Sequence, residues 1–208
     1  GTVSHTGVGG LALGGGFGRV GRKYGLTLDN ITAVDIVSAD GVMRRASADE
    51  NPELFWGIRG GGGNFGIVTM FEFALHEMDR TVIAGDVVFP MERAKDVFRF
   101  YADFSQEAPD ELQTDLVMVS PPGGQPGVVV MSPVWCGDHR DAEKALAPIA
   151  KLGEPIANSI GPKDYVALQK SADNSDPRHG GQYIKGGFVS DITGGQLDAI
   201  VDGFEGHP

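Results

Sequence analysis

The sequence predicts an α+β protein. It should have a glycine-rich first part built around a β-hairpin, and a second part with an antiparallel sheet carrying helices on one face. Three observations predict this. Short β-branched and aromatic runs bounded by turn residues recur along the chain. Beyond residue 80, helical periodicity alternates with such runs in the order β-α-β-β-α-β-α-β-α. Glycine crowds into two runs near the start, Gly7-Val8-Gly9-Gly10-Leu11-Ala12-Leu13-Gly14-Gly15-Gly16-Phe17-Gly18 and Gly60-Gly61-Gly62-Gly63-Asn64-Phe65-Gly66.

The elements follow in order. Residues 31–37 read as a strand, Asp40-Gly41 as a tight turn and residues 42–46 as the return strand. Pro52 suits the first turn of a short helix over 53–58. Residues 66–75 read as a strand in which Phe71 and Phe73 share a buried face. A change of texture near 76–80 predicts a boundary between two domains, 1–78 and 79–208. In the second, 82–89 reads as a strand ended by Pro90. Residues 91–107 read as a helix with Met91, Ala94, Val97, Phe98, Tyr101 and Ala102 on one face. Strands are expected at 112–119 and 128–135, a helix at 138–152, a strand at 154–160, a short helix at 163–170, a strand at 183–189 and a helix from 193 to 203.

Composition bounds the function. With 208 residues, 41% hydrophobic and 22% charged, the chain is long and apolar enough for a packed core. Net charge is −11 and there is no basic stripe, which argues against nucleic acid or an anionic membrane as partner. No apolar run is long enough to span a bilayer. Cys136 is the only cysteine, so no internal disulfide can form, and it reads as a small buried apolar residue. The five histidines lack ligand spacing, so no metal site is expected. The expected location is the cytoplasm. The first residues open without a start methionine and the last end abruptly, so the chain reads as a fragment.

Seventeen of the 32 glycines lie in residues 1–66, so the enrichment is local. Glycine lets a main chain approach another group closely, and such runs can turn backbone N–H groups toward an anionic ligand such as a cofactor pyrophosphate. Gly16-Phe17-Gly18-Arg19-Val20-Gly21 fits the dinucleotide fingerprint G-x-G-x-x-G, which leaves an NAD(P)-binding Rossmann-type dehydrogenase as one alternative. That reading requires a strand before the motif and a helix after it, and Gly21 and Gly25 oppose the helix. Gly-rich turns with no ligand are a further reading. Phe55 and Trp56 read as core, and Arg59 either meets a phosphate or balances a helix C-terminus.

Four stretches carry a resemblance. They are Gly7 to Gly18, Arg22-Lys23-Tyr24-Gly25-Leu26-Thr27-Leu28-Asp29-Asn30, residues 48–56, and Arg59 to Val68. In this order they resemble the FAD-linked oxidases of the vanillyl-alcohol oxidase and p-cresol methylhydroxylase (PCMH) type, in their berberine-bridge-enzyme-like branch. The resemblance implies the second part of a PCMH-type FAD-binding domain followed by a substrate domain. It implies an oxidase that moves a hydride from a small organic substrate to flavin, and from there electrons to oxygen. FAD is the implied cofactor. Val3, Ser4, His5, Gly7, Gly9, Gly10, Leu11, Gly16, Phe17 and Gly18 are the implied flavin and pyrophosphate loop, with Gly66, Ile67 and Val68 on the adenine side. Tyr183 and Lys185 stand where the family often has a Tyr-Trp-Lys stretch, and Tyr165 is a further candidate for the substrate cleft. The family's covalent histidine and its catalytic base belong to segments with no counterpart here, so no catalytic residue is assigned. Val3 stands where some relatives have a cysteinyl flavin link. A non-catalytic flavin- or ligand-binding protein with the same fold is a further alternative. Exposed flavin-facing surface favours self-association into a homo-oligomer.

Overall fold

The computed structural model describes residues 1–121, 123–173, 186, 187, 189 and 192–205. The elements run α1 (Val8–Leu13), α2 (Gly21–Tyr24), β1 (Ile31–Val37), β2 (Met43–Ser47), α3 (Pro52–Gly61), β3 (Ile67–Phe73), β4 (Thr81–Ala84) and β5 (Val87–Pro90). They continue α4 (Ala94–Glu107), β6 (Leu112–Val119), β7 (Val128–Trp135), α5 (His139–Leu146), β8 (Ala157–Asn158), β9 (Gly161–Asp164), α6 (Tyr165–Ser171) and α7 (Gly194–Glu205). The α+β class expected from the sequence is the class observed. The strand expected at 183–189 lies largely outside the described residues.

The chain divides into two compact units: Gly1–Arg80 with Tyr165–Asp176, and Thr81–Asp164 with Pro177–Pro208. In the first, β1 is the centre of an antiparallel three-stranded sheet in the order β2-β1-β3. Its apolar residues Ile31, Val34 and Ile36 are buried, and Phe55 and Ile58 of α3 join them in one core with Ala12 and Ala46. Phe71 and Phe73 pack against that core from β3.

The sequence expectation differs from the structure at two points here. The first glycine run forms a helix, α1, rather than an open loop throughout. It holds because Ala12 is fully buried in the core and the helix packs on α3. Trp56 is 74% exposed, whereas its neighbour Phe55 is 6% exposed. On α3, Phe55 and Ile58 lie three residues apart and share the inward face, and Trp56 turns about 100° away from it.

In the second unit, the expected strand 82–89 is split into β4 and β5. Both run along the same edge of β7 in one register, with Ile83 opposite Trp135 and Val87 opposite Met131. The outer line shows the same break: β9 pairs with β4 and β8 with β5. The interruption falls at Gly85, where a Cβ would sit 2.3 Å from the Ser159 carbonyl oxygen. Ser159 N–H donates to the Asp86 carbonyl (2.9 Å), and Asp86 N–H donates to Ser159 Oγ (2.8 Å), knotting the two breaks together. β6 and β7 form a regular hairpin at the other edge. The segment expected to be helical from residue 163 begins as strand β9 and turns helical at Tyr165, and the strand expected at 154–160 is regular only at β8.

The core of this unit is made by Val87, Phe89, Val129, Met131 and Trp135 of the sheet, with Val97 and Phe104 of α4 and Ala142 of α5. Asp138 caps α5 by accepting from the Arg140 N–H (2.9 Å), and Trp135 Nε1 donates to the Asp138 carbonyl (2.9 Å). Cys136 is half-buried rather than fully buried, and its thiol donates to the Glu111 carbonyl at 3.4 Å.

Candidate functional site

The first unit gathers the sequence-predicted residues. Val3 is half-buried and Ser4 and His5 are exposed at its opening segment. That segment is held by α6 and the residues just after it. Ser4 donates from both its N–H (2.9 Å) and its hydroxyl (2.6 Å) to the Asp173 carboxylate. Gln169 donates to the Gly1 carbonyl (2.7 Å) and accepts from Arg19 Nε (3.1 Å). Gln169 and Asp173 are positioning residues with no local signal, because they lie some 170 residues along the chain from the loop they tether. Tyr165 belongs to this group: its hydroxyl accepts from Gln169 Nε2 at 3.4 Å.

The two glycine runs come together. α1 packs on α3 and on the short 3-10 turn at residues 62–65. The Cβ positions of Gly15 and Gly60 lie 3.9 and 4.0 Å from the same methyl carbon of Leu28. Thr27 fixes the end of the first run: its N–H (2.7 Å) and hydroxyl (2.9 Å) both donate to the Gly16 carbonyl. Asp29 Oδ2 accepts from Leu26 N–H (2.8 Å), and Asn30 Nδ2 donates to the carbonyls of Tyr24 and Leu26, so these two residues shape the entry into β1.

The glycines fall into two kinds. At Gly16 (φ +80°) a Cβ would lie 2.6 Å from Thr27 Oγ1 and 2.9 Å from Leu11 Cγ, and at Gly66 (φ +141°) 2.3 Å from the Val37 carbonyl oxygen. Gly9 and Gly18 are tight as well, with Cβ positions 3.3 Å from Phe71 and 3.0 Å from the Gly1 nitrogen. By contrast, a Cβ at Gly7, Gly10, Gly62 or Gly63 would meet nothing within 4 Å. The first kind is demanded by the packing of the unit itself. The second presents bare main chain at the surface, which is what close approach of a large flat or anionic ligand requires. Phe17 (71%) and Ile67 (74%) are exposed apolar side chains in the same two stretches. Leu11 is half-buried, and Val68 is half-buried against the core.

Arg59 carries a buried donor in this region. Its guanidinium carbon lies 4.4 Å from the centroid of the Phe55 ring, and its Nε is buried with no hydrogen-bond partner among the described residues. Tyr183 and Lys185 lie outside the described residues. Among the described residues no group of three or more His, Cys, Asp or Glu side chains could hold a metal ion.

The context needed for a nicotinamide-type fingerprint is missing. The Gly16–Gly21 motif is preceded by helix α1 instead of a strand, and the single turn of α2 stops at Gly25 (φ +75°). The comparisons with known proteins point elsewhere. No protein-family model matches the chain. An FAD-linked oxidoreductase of Dictyostelium discoideum is 34% identical over 211 residues, covering 100% of this chain and 45% of that protein. The chain is homologous to FAD-linked oxidoreductases. A xylooligosaccharide oxidase of Thermothelomyces thermophilus is 41% identical over 80% of this chain and 33% of its own length. Among solved structures, 6-hydroxy-D-nicotine oxidase from Arthrobacter nicotinovorans superposes with a TM-score of 0.76 at 30% identity, over 86% of this chain and 40% of that one. The chain thus spans less than half the length of these relatives, and the resemblance read from its glycine-rich motifs is borne out.

Proposed function

We propose that this chain forms part of an FAD-dependent oxidase, with residues 1–78 on the cofactor side and 79–208 on the substrate side. The observation that carries the proposal is the convergence of two glycine runs that leave Gly7, Gly10, Gly62 and Gly63 as bare backbone, in a chain whose homologues are FAD-linked. The residues present fit the cofactor: open glycine main chain, exposed Phe17 and Ile67, and an orphaned buried Arg59 Nε suit a ligand that is flat at one end and anionic in the middle. FAD, when bound, supplies the acceptor for a hydride from a small organic substrate, with oxygen the final electron acceptor.

The chain's own residues bind and orient. Val3, Ser4, His5, Gly7, Gly9, Gly10, Leu11, Gly16, Phe17 and Gly18 form the loop along the flavin and pyrophosphate, and Gly66, Ile67 and Val68 meet the adenine side. Asp173, Gln169 and Thr27 hold that loop in place. Tyr183 and Lys185 remain candidates for the substrate cleft. The substrate is a small molecule; the relatives' names alone span a nicotine derivative and xylooligosaccharides. No helix among the described residues is long and apolar enough to cross a membrane. A cytoplasmic location and self-association complete the reading, the first supported by a single cysteine that leaves no internal disulfide. The test is purification of the longest natural polypeptide carrying this sequence. A stoichiometric flavin spectrum, bleached anaerobically by a substrate panel of sugars and alkaloids and restored by air, is the expected result. A protein that neither retains nor takes up flavin refutes the proposal.

A further inference from the structure

Arg59 stands where α3 stops being a helix. Its ψ of 83° and the Gly60 φ of +112° break the helical path, and the main chain passes into the bare glycines Gly62 and Gly63. The side chain does not follow the chain outward. It folds back over Phe55, a core residue, so that packing fixes its guanidinium 4.4 Å from the ring centroid. A cation at a helix C-terminus is favourable by itself, because the helix dipole is negative there. That accounts for the charge. It does not account for the Nε, which is buried without an acceptor among the described residues. An N–H of a cation removed from water and left unpaired is costly, and native proteins rarely retain one without a purpose.

Three other arginines of this unit have partners. Arg44 pairs with Asp40, Arg45 with Glu72 and Asp35, and Arg19 with Gln169 and the Thr2 carbonyl. Arg59 forms no hydrogen bond or ion pair among the described residues. Beside it, the backbone alternates in hand between Gly60 (φ +112°, ψ −23°) and Gly61 (φ −80°, ψ −2°), and Asn64 Nδ2 pins the turn by donating to the Gly61 carbonyl (2.7 Å). Alternation of this kind turns successive N–H groups toward one side, a concavity suited to an anion. A planar guanidinium matches phosphate oxygens better than any other side chain does.

We infer that Arg59 binds the diphosphate of FAD, together with the main chain of Gly60–Gly63. This rests on the reading that FAD binds the first unit, and it adds a permanent positive charge to a set that otherwise offers backbone, apolar groups, Ser4 and His5. The stacking on Phe55 holds the guanidinium in place before the cofactor arrives, which lowers the ordering cost of binding.

The test uses flavin-free protein, made in a riboflavin-starved host from the longest natural polypeptide carrying this sequence. FAD and riboflavin are titrated separately by flavin fluorescence, and riboflavin, which has the ring system but no phosphate, isolates the anionic part. In Arg59→Met, FAD affinity should fall by about tenfold to a hundredfold, the range expected for a lost charge-assisted hydrogen bond, with riboflavin affinity unchanged. Arg59→Lys should fall between. If Arg59→Met does not fold, Arg59→Gln, which keeps the stem and a donor but no charge, gives the same comparison. Unchanged FAD affinity overturns the inference, as does an equal loss for FAD and riboflavin, which would place Arg59 at the ring system instead. If the unaltered protein binds neither ligand, the FAD reading itself fails. If it binds FAD regardless of residue 59, only the role of Arg59 fails.

Discussion

Gly66 is where the fold of the first unit is least forgiving, and three glycine-to-alanine changes measure why. Gly66 precedes β3 with φ +141° and ψ −164°, a conformation closed to side-chain-bearing residues, and a Cβ there would lie 2.3 Å from the Val37 carbonyl oxygen and 3.1 Å from Ile36 Cγ1. Val37 is paired with Ile67, the next residue, so the oxygen cannot move without opening the β1–β3 ladder. Backbone strain of this kind costs about 1–3 kcal/mol, and forced overpacking of a backbone contact about 1–3 kcal/mol more. Gly66→Ala should therefore destabilise the unit by about 4 kcal/mol, a large part of the stability a domain has. Gly62→Ala separates the two effects. Its φ is +64°, but a Cβ there meets nothing within 4 Å, so only the strain of about 1–3 kcal/mol applies. Gly63→Ala has neither problem and should be neutral, or stabilising by about 0.4–1 kcal/mol through the unfolded chain. The assay is native-state hydrogen exchange at the β1 amides of Val34 and Ile36, which reports opening of this unit alone. A Gly66→Ala cost no greater than that of Gly62→Ala would refute the steric reasoning.

Further outcomes follow from the two units. Asp40 is held at a pKa of about 2 by hydrogen bonds from Arg44 and from the Val42 N–H, so a carboxyl NMR titration should place its midpoint well below the ordinary value. Because the folded pKa is depressed, the turn's contribution is fully present above about pH 4, near the unfolded aspartate pKa, and is lost as pH falls toward 2; Arg44→Gln should move the midpoint back up. Trp56→Phe should remove the red-shifted, acrylamide-quenchable emission and leave the blue-shifted emission of Trp135, which is 5% exposed; a quenchable remainder would contradict the burial of Trp135. Mass spectrometry of the peptide spanning residues 1–19 should find no flavin adduct at Val3, since a hydrocarbon side chain offers no nucleophile; an adduct there would overturn the reading of that position.

What was legible in the sequence was local. Strands β1, β6 and β7 match the expected spans because a β-branched or apolar run bounded by turn residues declares a strand within one window. The helix at 91–107 was legible from an equally local signal, its apolar period, with Ala94, Val97 and Ala102 buried as expected. What was not legible depends on distant partners. Gly161-Pro162-Lys163-Asp164 carries no strand pattern, yet it is a strand because β4 offers four consecutive partners. The break at Gly85 is set by Ser159, more than seventy residues away. The first glycine run read as a loop, but one small buried side chain, Ala12, is enough to seat a six-residue helix on α3. Of the candidate site, the glycine-rich stretches were visible, and their tethers Gln169 and Asp173 were not, since a glutamine on a short helix has no signature of its own.

The two kinds of glycine also change how the motifs should be interpreted. Read as a string, each run seems to have one purpose, close approach to a cofactor. In the fold each run mixes two. Gly16 and Gly66 are glycine because the protein's own atoms fill the space a Cβ would need, while Gly10 and Gly62 are glycine with that space empty. The tight ones set the path of the chain; the open ones are available to a ligand. A tight and an open glycine sit within four to six residues of each other in both runs, so the scaffold and the proposed binding surface are made by the same short segments. Alanine at a tight position should therefore lower stability and cofactor affinity together, because the open backbone is displaced with it. Alanine at Gly10, which has neither a positive φ nor a neighbour, should lower FAD affinity alone. A Gly10→Ala protein that binds FAD as well as the unaltered one would mean that the open backbone of α1 faces solvent in the working enzyme, and that the cofactor surface begins after Gly14.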